Sequence, residues 1–325
     1  MAAITLIEGV TRALAHEMER DERVIVLGED VGVNGGVFRA TAGLQQRFGD
    51  QRVQDTPLAE AMIAGLSVGM AAQGMRPVAE IQFEGFVYPA VDQIVNHAAR
   101  LRTRTRGRLT CPMVLRVPYG GGIHAPEHHS DSPEAMFAHM PGIRVVIPSS
   151  PARAYGLLLA AIRSPDPVVF FEPKRIYRLQ KQEVPDDGEA LPLDVCYTLR
   201  EGEDVTVVTW GAMTWETLKA ADQLADDGIS CEIIDVATIS PLDHETILES
   251  VERTGRLCIV QEAPRSFGVA SEIAAVVAEQ ALYSLRTPIS RVTGYDTIMP
   301  LFRLETEYMP SVQRVVDGIR AALEE

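Results

Sequence analysis

Short Val- and Ile-rich runs recur along this chain at intervals that leave room for one helix between each pair. Val24-Ile25-Val26-Leu27-Gly28 is the first, followed by runs at 78–83, 113–117, 143–147 and 167–171. Val205-Thr206-Val207-Val208-Thr209, 231–236 and 257–260 continue the series. Leu6, Val10, Ala13, Leu14 and Met18 recur at helical spacing and predict an amphipathic helix over 5–20. Further helices are expected after Pro57 and over 86–104, 151–163, 216–226, 243–253 and 267–283. Strands apolar on both faces need cover on both sides, so the alternation predicts α/β layers around parallel sheets. The chain has 325 residues, enough for two ordinary domains. A polar stretch from Gln180 to Glu189 containing Pro185 and Gly188, then the cluster Arg200-Glu201-Gly202-Glu203-Asp204, marks the seam. The expected organisation is a first domain over 1–185, a linker over 186–203 and a second domain over 204–325. Two α/β domains in tandem result.

Composition narrows the partners. Lys plus Arg number 30 against 45 Asp plus Glu, a formal charge of −15, so nucleic acid and anionic membrane surfaces are poor partners. Arg100, Arg102, Arg104, Arg106 and Arg108 read as a solvated helix end and loop, because alternate residues on a helix do not share a face. Cys111, Cys196, Cys231 and Cys258 form no Cys-x-x-Cys pair and read as small buried thiols of a reducing compartment. The opening Met-Ala-Ala-Ile-Thr-Leu-Ile-Glu lacks the charged start and apolar run of a signal peptide. Ala61 to Met75, the longest low-charge stretch, falls short of the ~20 apolar residues of a membrane span. A soluble, cytoplasmic protein is expected.

Open parallel sheets bind ligands beyond the carboxyl ends of their strands, which directs attention to the loops after residues 28, 83 and 117. Asp55-Thr56-Pro57-Leu58-Ala59-Glu60 runs into a helix of small residues. Thr56 is expected to cap it, Pro57 to take its first position and Glu60 to fall in its first turn. An acid there complements the helix dipole, which is one reading of Glu60. Ala61, Gly65 and Gly69, four apart, admit a close backbone, which is the other: a helix buried in an interface with a partly desolvated carboxylate at its mouth. The loop after 117 holds Gly120-Gly121-Gly122 and four of the seven histidines, between 124 and 139. His124 and His128 are four apart, but Pro126 opposes a helix and the order is not His-Glu-x-x-His, so zinc is disfavoured against solvated histidines or a catalytic one.

Glu60, Gly65, Leu66 and Gly69 together resemble the signature of the pyrimidine-binding domain of thiamine diphosphate enzymes. Leu27-Gly28-Glu29-Asp30-Val31-Gly32, Asn34-Gly35-Gly36-Val37-Phe38, Arg76 to Phe83 and Phe171-Glu172-Pro173-Lys174 narrow it. The whole chain resembles the beta subunit of the decarboxylating component of 2-oxo acid dehydrogenase complexes. That resemblance implies a pyrimidine-binding domain followed by a transketolase C-terminal-like domain. It implies that Glu60 hydrogen-bonds a ring nitrogen of the aminopyrimidine and favours the tautomer that removes the thiazolium proton. Leu58, Gln82 and Phe86 would line the pocket, and Glu29 would face the reaction centre. His129 would serve acyl transfer to lipoyl sulfur, with His128 as the alternative one register away. Met113, Ala161, Ser164 and Asp166 match positions that hold potassium in some members, although two differ in side chain.

Gly-Asp-Gly, which holds the cofactor diphosphate and magnesium in such enzymes, is missing from the chain, as are Walker-type and dinucleotide fingerprints. The resemblance therefore implies that an alpha subunit brings the diphosphate and magnesium half. Two alpha and two beta chains would assemble, with the second domain pairing the beta chains and docking a lipoylated acyltransferase core. Pyruvate is the favoured substrate, with branched-chain 2-oxo acids as the other candidates. A non-catalytic paralogue serving assembly or docking is the alternative function, opposed by the intact Glu60, Gln82, Phe86 and His129.

Overall fold

The computed structural model describes residues 3–324, so Met1 and Ala2 of the reading against a signal peptide lie outside it. Seven strands form the first sheet, in the spatial order Thr238–Ser240, Arg144–Val146, Val168–Pro173, Val114–Tyr119, Arg76–Glu80, Val24–Gly28 and Val53–Asp55. All neighbours are parallel except Thr238–Ser240, which runs antiparallel to Arg144–Val146. The second sheet has the order Ser290–Gly294, Leu257–Pro264, Val205–Thr209, Cys231–Asp235 and Tyr197–Arg200, with only the last strand antiparallel. The α/β expectation holds for both halves, and the two sheets share one chain crossing: Thr238–Ser240 leaves the second half to edge the first sheet.

Helix Leu6–Arg20 shows why the local sequence folds as it does. Thr5 and Glu8 close a capping box at its start, and Leu6, Val10, Ala13, Leu14 and Met18 are buried. Gly9 lets it approach helix Pro151–Arg163, since a Cβ there would sit 2.8 Å from the Pro151 carbonyl oxygen.

Several expectations need correction. The helix expected over 86–104 is a broken series: 3-10 turns at Glu84–Phe86 and Tyr88–Ala90, a π-helical stretch Gln93–Ala98, then the short helix Leu101–Arg104. Pro89 has no N–H to give an α-helix, which suits the tight turn it occupies. Thr56 does not cap the next helix, and Pro57 is not its first residue. The Thr56 N–H instead donates to the Gly28 carbonyl at 2.9 Å, keeping that chain extended, and the helix spans Glu60–Ala72 with no side-chain cap. Within the segment expected as linker, Tyr197–Arg200 adds an antiparallel edge strand. Strands Val53–Asp55 and Ser290–Gly294 and helices Glu134–Ala138 and Val312–Leu323 were not anticipated. All four cysteines are free, and three of them are buried. Among the described residues no helix is long and apolar enough to cross a membrane.

In the first sheet the chain passes from Val24–Gly28 to Val53–Asp55 on one side, then returns to Arg76–Glu80 on the other. This reversal opens a crevice at the carboxyl ends of Val24–Gly28 and Arg76–Glu80. Sheets of this kind take their ligands there.

Candidate active site

Glu29 and Gln82 stand at the two lips of that crevice. Gln82 donates from its amide to the Glu29 carbonyl at 3.4 Å, tying the lips together. The Glu29 side chain is buried, and its Oε1 has no hydrogen-bond partner among the described residues. Burial raises its pKa above the usual carboxylate range, and the charges of Glu60 and Asp30 raise it further. Gly28 precedes it because a Cβ there would lie 2.8 Å from the Glu80 carbonyl oxygen. Glu60 is the first residue of helix Glu60–Ala72, half-buried at the amide-rich end. The Thr56 hydroxyl is buried with no hydrogen-bond partner among the described residues, whereas Leu58 is 79% exposed. Glu29, Thr56, Glu60 and Gln82 thus come from three separate segments and stand near one another at the ends of these strands, with Leu58 on the same segment as Thr56 and Glu60.

Phe86 and His129 meet beside it. The His129 ring centroid lies 4.3 Å from that of Phe83 and 5.1 Å from that of Phe86, the latter edge to face. His129 Nδ1 is 2.7 Å from the Glu127 carbonyl oxygen, which accepts, so in the neutral ring the proton sits on Nδ1 and Nε2 is left for chemistry. His128 points elsewhere: its side chain is largely exposed, with Glu127 as the nearest acid at 3.9 Å. Its backbone packs on Gly85, where a Cβ would fall 2.0 Å from the His128 carbonyl oxygen. Only glycine fits that contact.

Charges that the sequence reading did not assemble hold this region. Lys174 and Glu84, both fully buried, pair at 2.6 Å. Lys174 Nζ also donates to the His129 carbonyl at 2.5 Å, and the Asp131 N–H donates to Glu84 at 2.8 Å. Burial pushes the Glu84 carboxyl up to about 7 against the pull of Lys174. Beneath them, Arg116 donates to Glu172 from Nε at 2.6 Å and Nη2 at 2.9 Å, and from Nη1 to Glu80 at 2.7 Å. The Tyr177 hydroxyl adds a bond to Glu172 at 2.6 Å. Glu172 and Lys174 belong to the Phe171-Glu172-Pro173-Lys174 motif, but their partners are 56 and 90 residues away, a separation that no local pattern reports.

Met113, Ala161, Ser164 and Asp166 lie away from this cluster. Their carbonyls accept from Val168 N–H, Ser164 N–H, Arg76 Nη1 and Ser164 Oγ respectively. The Asp166 carboxylate pairs with Arg102 at 2.6 Å. Among the described residues no group of three or more His, Cys, Asp or Glu could hold a metal.

A carboxylate oxygen and a hydroxyl, both buried with no hydrogen-bond partner among the described residues, near an amide and with an aromatic pair alongside, have the chemistry to meet a flat heterocycle that carries hydrogen-bonding nitrogens. Two family profiles match: the transketolase pyrimidine binding domain over residues 2–180 and the transketolase C-terminal domain over residues 195–315. A split-gene transketolase, solved as an inactive beta4 tetramer, superposes with a TM-score of 0.82 over 98% of both chains at 23% identity, which bears on the fold. Fold and profiles define a two-domain transketolase-type protein.

Closer likeness comes from curated sequences. The pyruvate dehydrogenase E1 component subunit beta of Acholeplasma laidlawii is 51% identical over 320 residues, 98% of each chain. That of Bacillus subtilis is 50% identical over 324 residues and 100% of each chain. The chain belongs to the family of pyruvate dehydrogenase E1 component beta subunits.

Proposed function

We propose that this chain is the beta half of a pyruvate-decarboxylating enzyme that uses thiamine diphosphate and passes the acyl group to the lipoyl arm of an acyltransferase. The observation that carries the reading is the crevice with orphaned Glu29 Oε1 and Thr56 Oγ1 beside Glu60, in a chain about half identical to subunits bearing that name. When bound, the cofactor supplies the electron sink that a 2-oxo acid needs to release carbon dioxide, while the protein supplies orientation and electrostatics. Glu60 holds a carboxylate toward the aminopyrimidine ring, Gln82 and Leu58 line the slot and Phe86 offers its ring face. Glu29, its pKa raised by burial, is suited to hold a proton near the reacting carbon. His129 presents Nε2 for proton donation during acyl transfer.

The chain has no Gly-Asp-Gly sequence, so the diphosphate and its magnesium fall to an alpha subunit. Helix Glu60–Ala72 supports such a partner: it is apolar around its circumference, yet Met62, Leu66 and Gly69 face solvent in the single chain. Apolar helices of that kind are normally covered. Two alpha and two beta chains, a second beta chain paired through the C-terminal half and a cytoplasmic lipoylated core complete the proposal. Potassium enters the proposal as an optional ion at Met113, Ala161, Ser164 and Asp166, whose carbonyls accept hydrogen bonds within the chain but have a second lone pair each to offer a cation.

Co-expression with the alpha subunit tests the reading. Carbon dioxide release from pyruvate that requires added thiamine diphosphate and exceeds that from 3-methyl-2-oxobutanoate is expected. Failure to assemble, or cofactor-independent release, would overturn the reading.

A further inference from the structure

The loop from Gly120 to Asp131 carries His129, and its root is built like an anion receptor. Gly120, Gly122 and His124 have positive φ of 82°, 89° and 55°, an alternation that turns successive backbone N–H groups toward one side. Such a nest ordinarily receives a phosphate or another oxyanion. Here the anions are side chains of the C-terminal half. Glu262, from strand Leu257–Pro264, accepts from the Gly121 N–H at 2.5 Å and from the Ser132 hydroxyl at 3.3 Å. Glu305 accepts from the Gly122 N–H at 2.6 Å through Oε1 and from the His124 N–H at 2.8 Å through Oε2. Its Oε2 is also 2.9 Å from His124 Nδ1. Both carboxylates are buried.

The root is tied to the far end of the loop. The Gly120 N–H donates to the Asp131 carbonyl at 3.0 Å, and the Asp131 N–H donates to Glu84. A displacement at 120–124 therefore reaches the 129–131 segment through one hydrogen bond as well as along the chain. The three glycines at the root of the loop have no side chains to hold that end, so the root's position depends on what fills the nest.

We propose that Glu305 and Glu262 are positioning residues for His129: their carboxylates fill the amide nest at the root of the histidine loop and so set where the imidazole stands. Neither touches the reacting atoms. The C-terminal half thereby acts on the crevice of the N-terminal half within one chain. The proposal rests on the reading of His129 as the acyl-transfer histidine.

Glu305→Gln and Glu262→Gln test it in the assembly with the alpha subunit. A carboxamide offers one acceptor where the carboxylate offers two, so each variant frees part of the nest at nearly constant volume. Two rates are read: lipoyl acylation, and decarboxylation coupled to an artificial electron acceptor. A third readout, the rate at which diethyl pyrocarbonate modifies His129 as followed by mass spectrometry, does not depend on turnover. Acylation is expected to fall by about tenfold or more, the effect of a misplaced catalytic group, while acceptor-coupled decarboxylation stays within about threefold. Modification of His129 should quicken severalfold. Equal loss of both activities in the carboxamide variants, or unchanged acylation and modification, would overturn the proposal. A wild-type assembly without cofactor-dependent carbon dioxide release would sink the functional reading instead, with the His129 modification rate still deciding the positioning claim.

Discussion

Arg116 and Glu172 lie on adjacent parallel strands, two positions apart in register, and form a two-pronged ion pair at 2.6 and 2.9 Å, with neither side chain reaching solvent. Glu80, on the strand at the other side, takes the third prong at 2.7 Å. One guanidinium thus serves two carboxylates in the floor of the crevice, and burial raises the pKa of Glu80 above the usual range.

Removing that guanidinium would strand both acids. Arg116→Leu should destabilise the chain by about 3–5 kcal/mol, the range for breaking a buried pair by deleting one partner. Urea unfolding of the isolated chain at neutral pH checks this, and a loss below about 1 kcal/mol would show that water or relaxation compensates. Acidification should narrow the gap, because protonated Glu80 no longer needs the partner.

The parts of the fold that were legible are those whose signal is local. Leu6 to Met18 repeat at helical spacing, and the helix runs as expected. Val205 to Thr209 are an uninterrupted β-branched run, and the strand matches. Thr238–Ser240 carried no such mark: three residues at an edge, partnered by a strand some ninety positions earlier, owe their state to that partner. Helix Val312–Leu323 has a local signal of the same kind, since Val315, Val316 and Ile319 share a face. In the crevice, Glu29, Glu60, Gln82, Phe86 and His129 were named from motif resemblance, and the structure gathers them in two adjoining groups. The ionic partners Glu84, Lys174 and Arg116 were not named as a set, because charge pairing across a sheet has no spacing rule in sequence.

Asp235 gives the stability a pH dependence of definite sign. Its carboxyl is buried, receives a hydrogen bond from the Ser149 hydroxyl at 2.5 Å and is pushed by burial from 3.8 up to about 7. Between those values the folded chain keeps a proton that the unfolded chain has released, so stability falls as pH rises. The slope for this one group is about 1.4 kcal/mol per pH unit. Glu134, pushed by burial to about 8, acts in the same direction. Asp235→Asn should therefore gain stability relative to wild type as pH climbs from 4.5 to 7, read as the shift between their urea midpoints. A gap that does not change with pH would remove Asp235 from the account.

His129 and His128 are adjacent in sequence and opposite in setting. His129→Ala removes a ring packed on Phe83 and Phe86 with a free Nε2, and should cut lipoyl acylation by about 100-fold, within the range for general acid–base groups. Decarboxylation measured with an artificial electron acceptor should suffer far less. His128→Asn, which suits the positive φ of 65°, should leave both rates close to wild type. The reverse ranking of the two variants would move the role to His128.

Glu60 sits where a helix begins and where a second carboxylate, Glu29, is close enough for its pKa to rise in response to the Glu60 charge. Glu60→Gln keeps the shape and the first helical position while removing the negative charge and the proton acceptor. Thiamine diphosphate-dependent carbon dioxide release by the assembly should fall by about 100-fold or more, the upper part of what proton-transfer groups contribute. The Glu29 carboxyl, relieved of a neighbouring charge, should titrate lower, and the pH profile of any residual turnover should shift to lower pH with it. Size-exclusion chromatography and far-UV circular dichroism, unchanged from wild type, would separate this loss from misfolding. Near-normal turnover in an intact Glu60→Gln assembly would mean that the crevice performs some other chemistry.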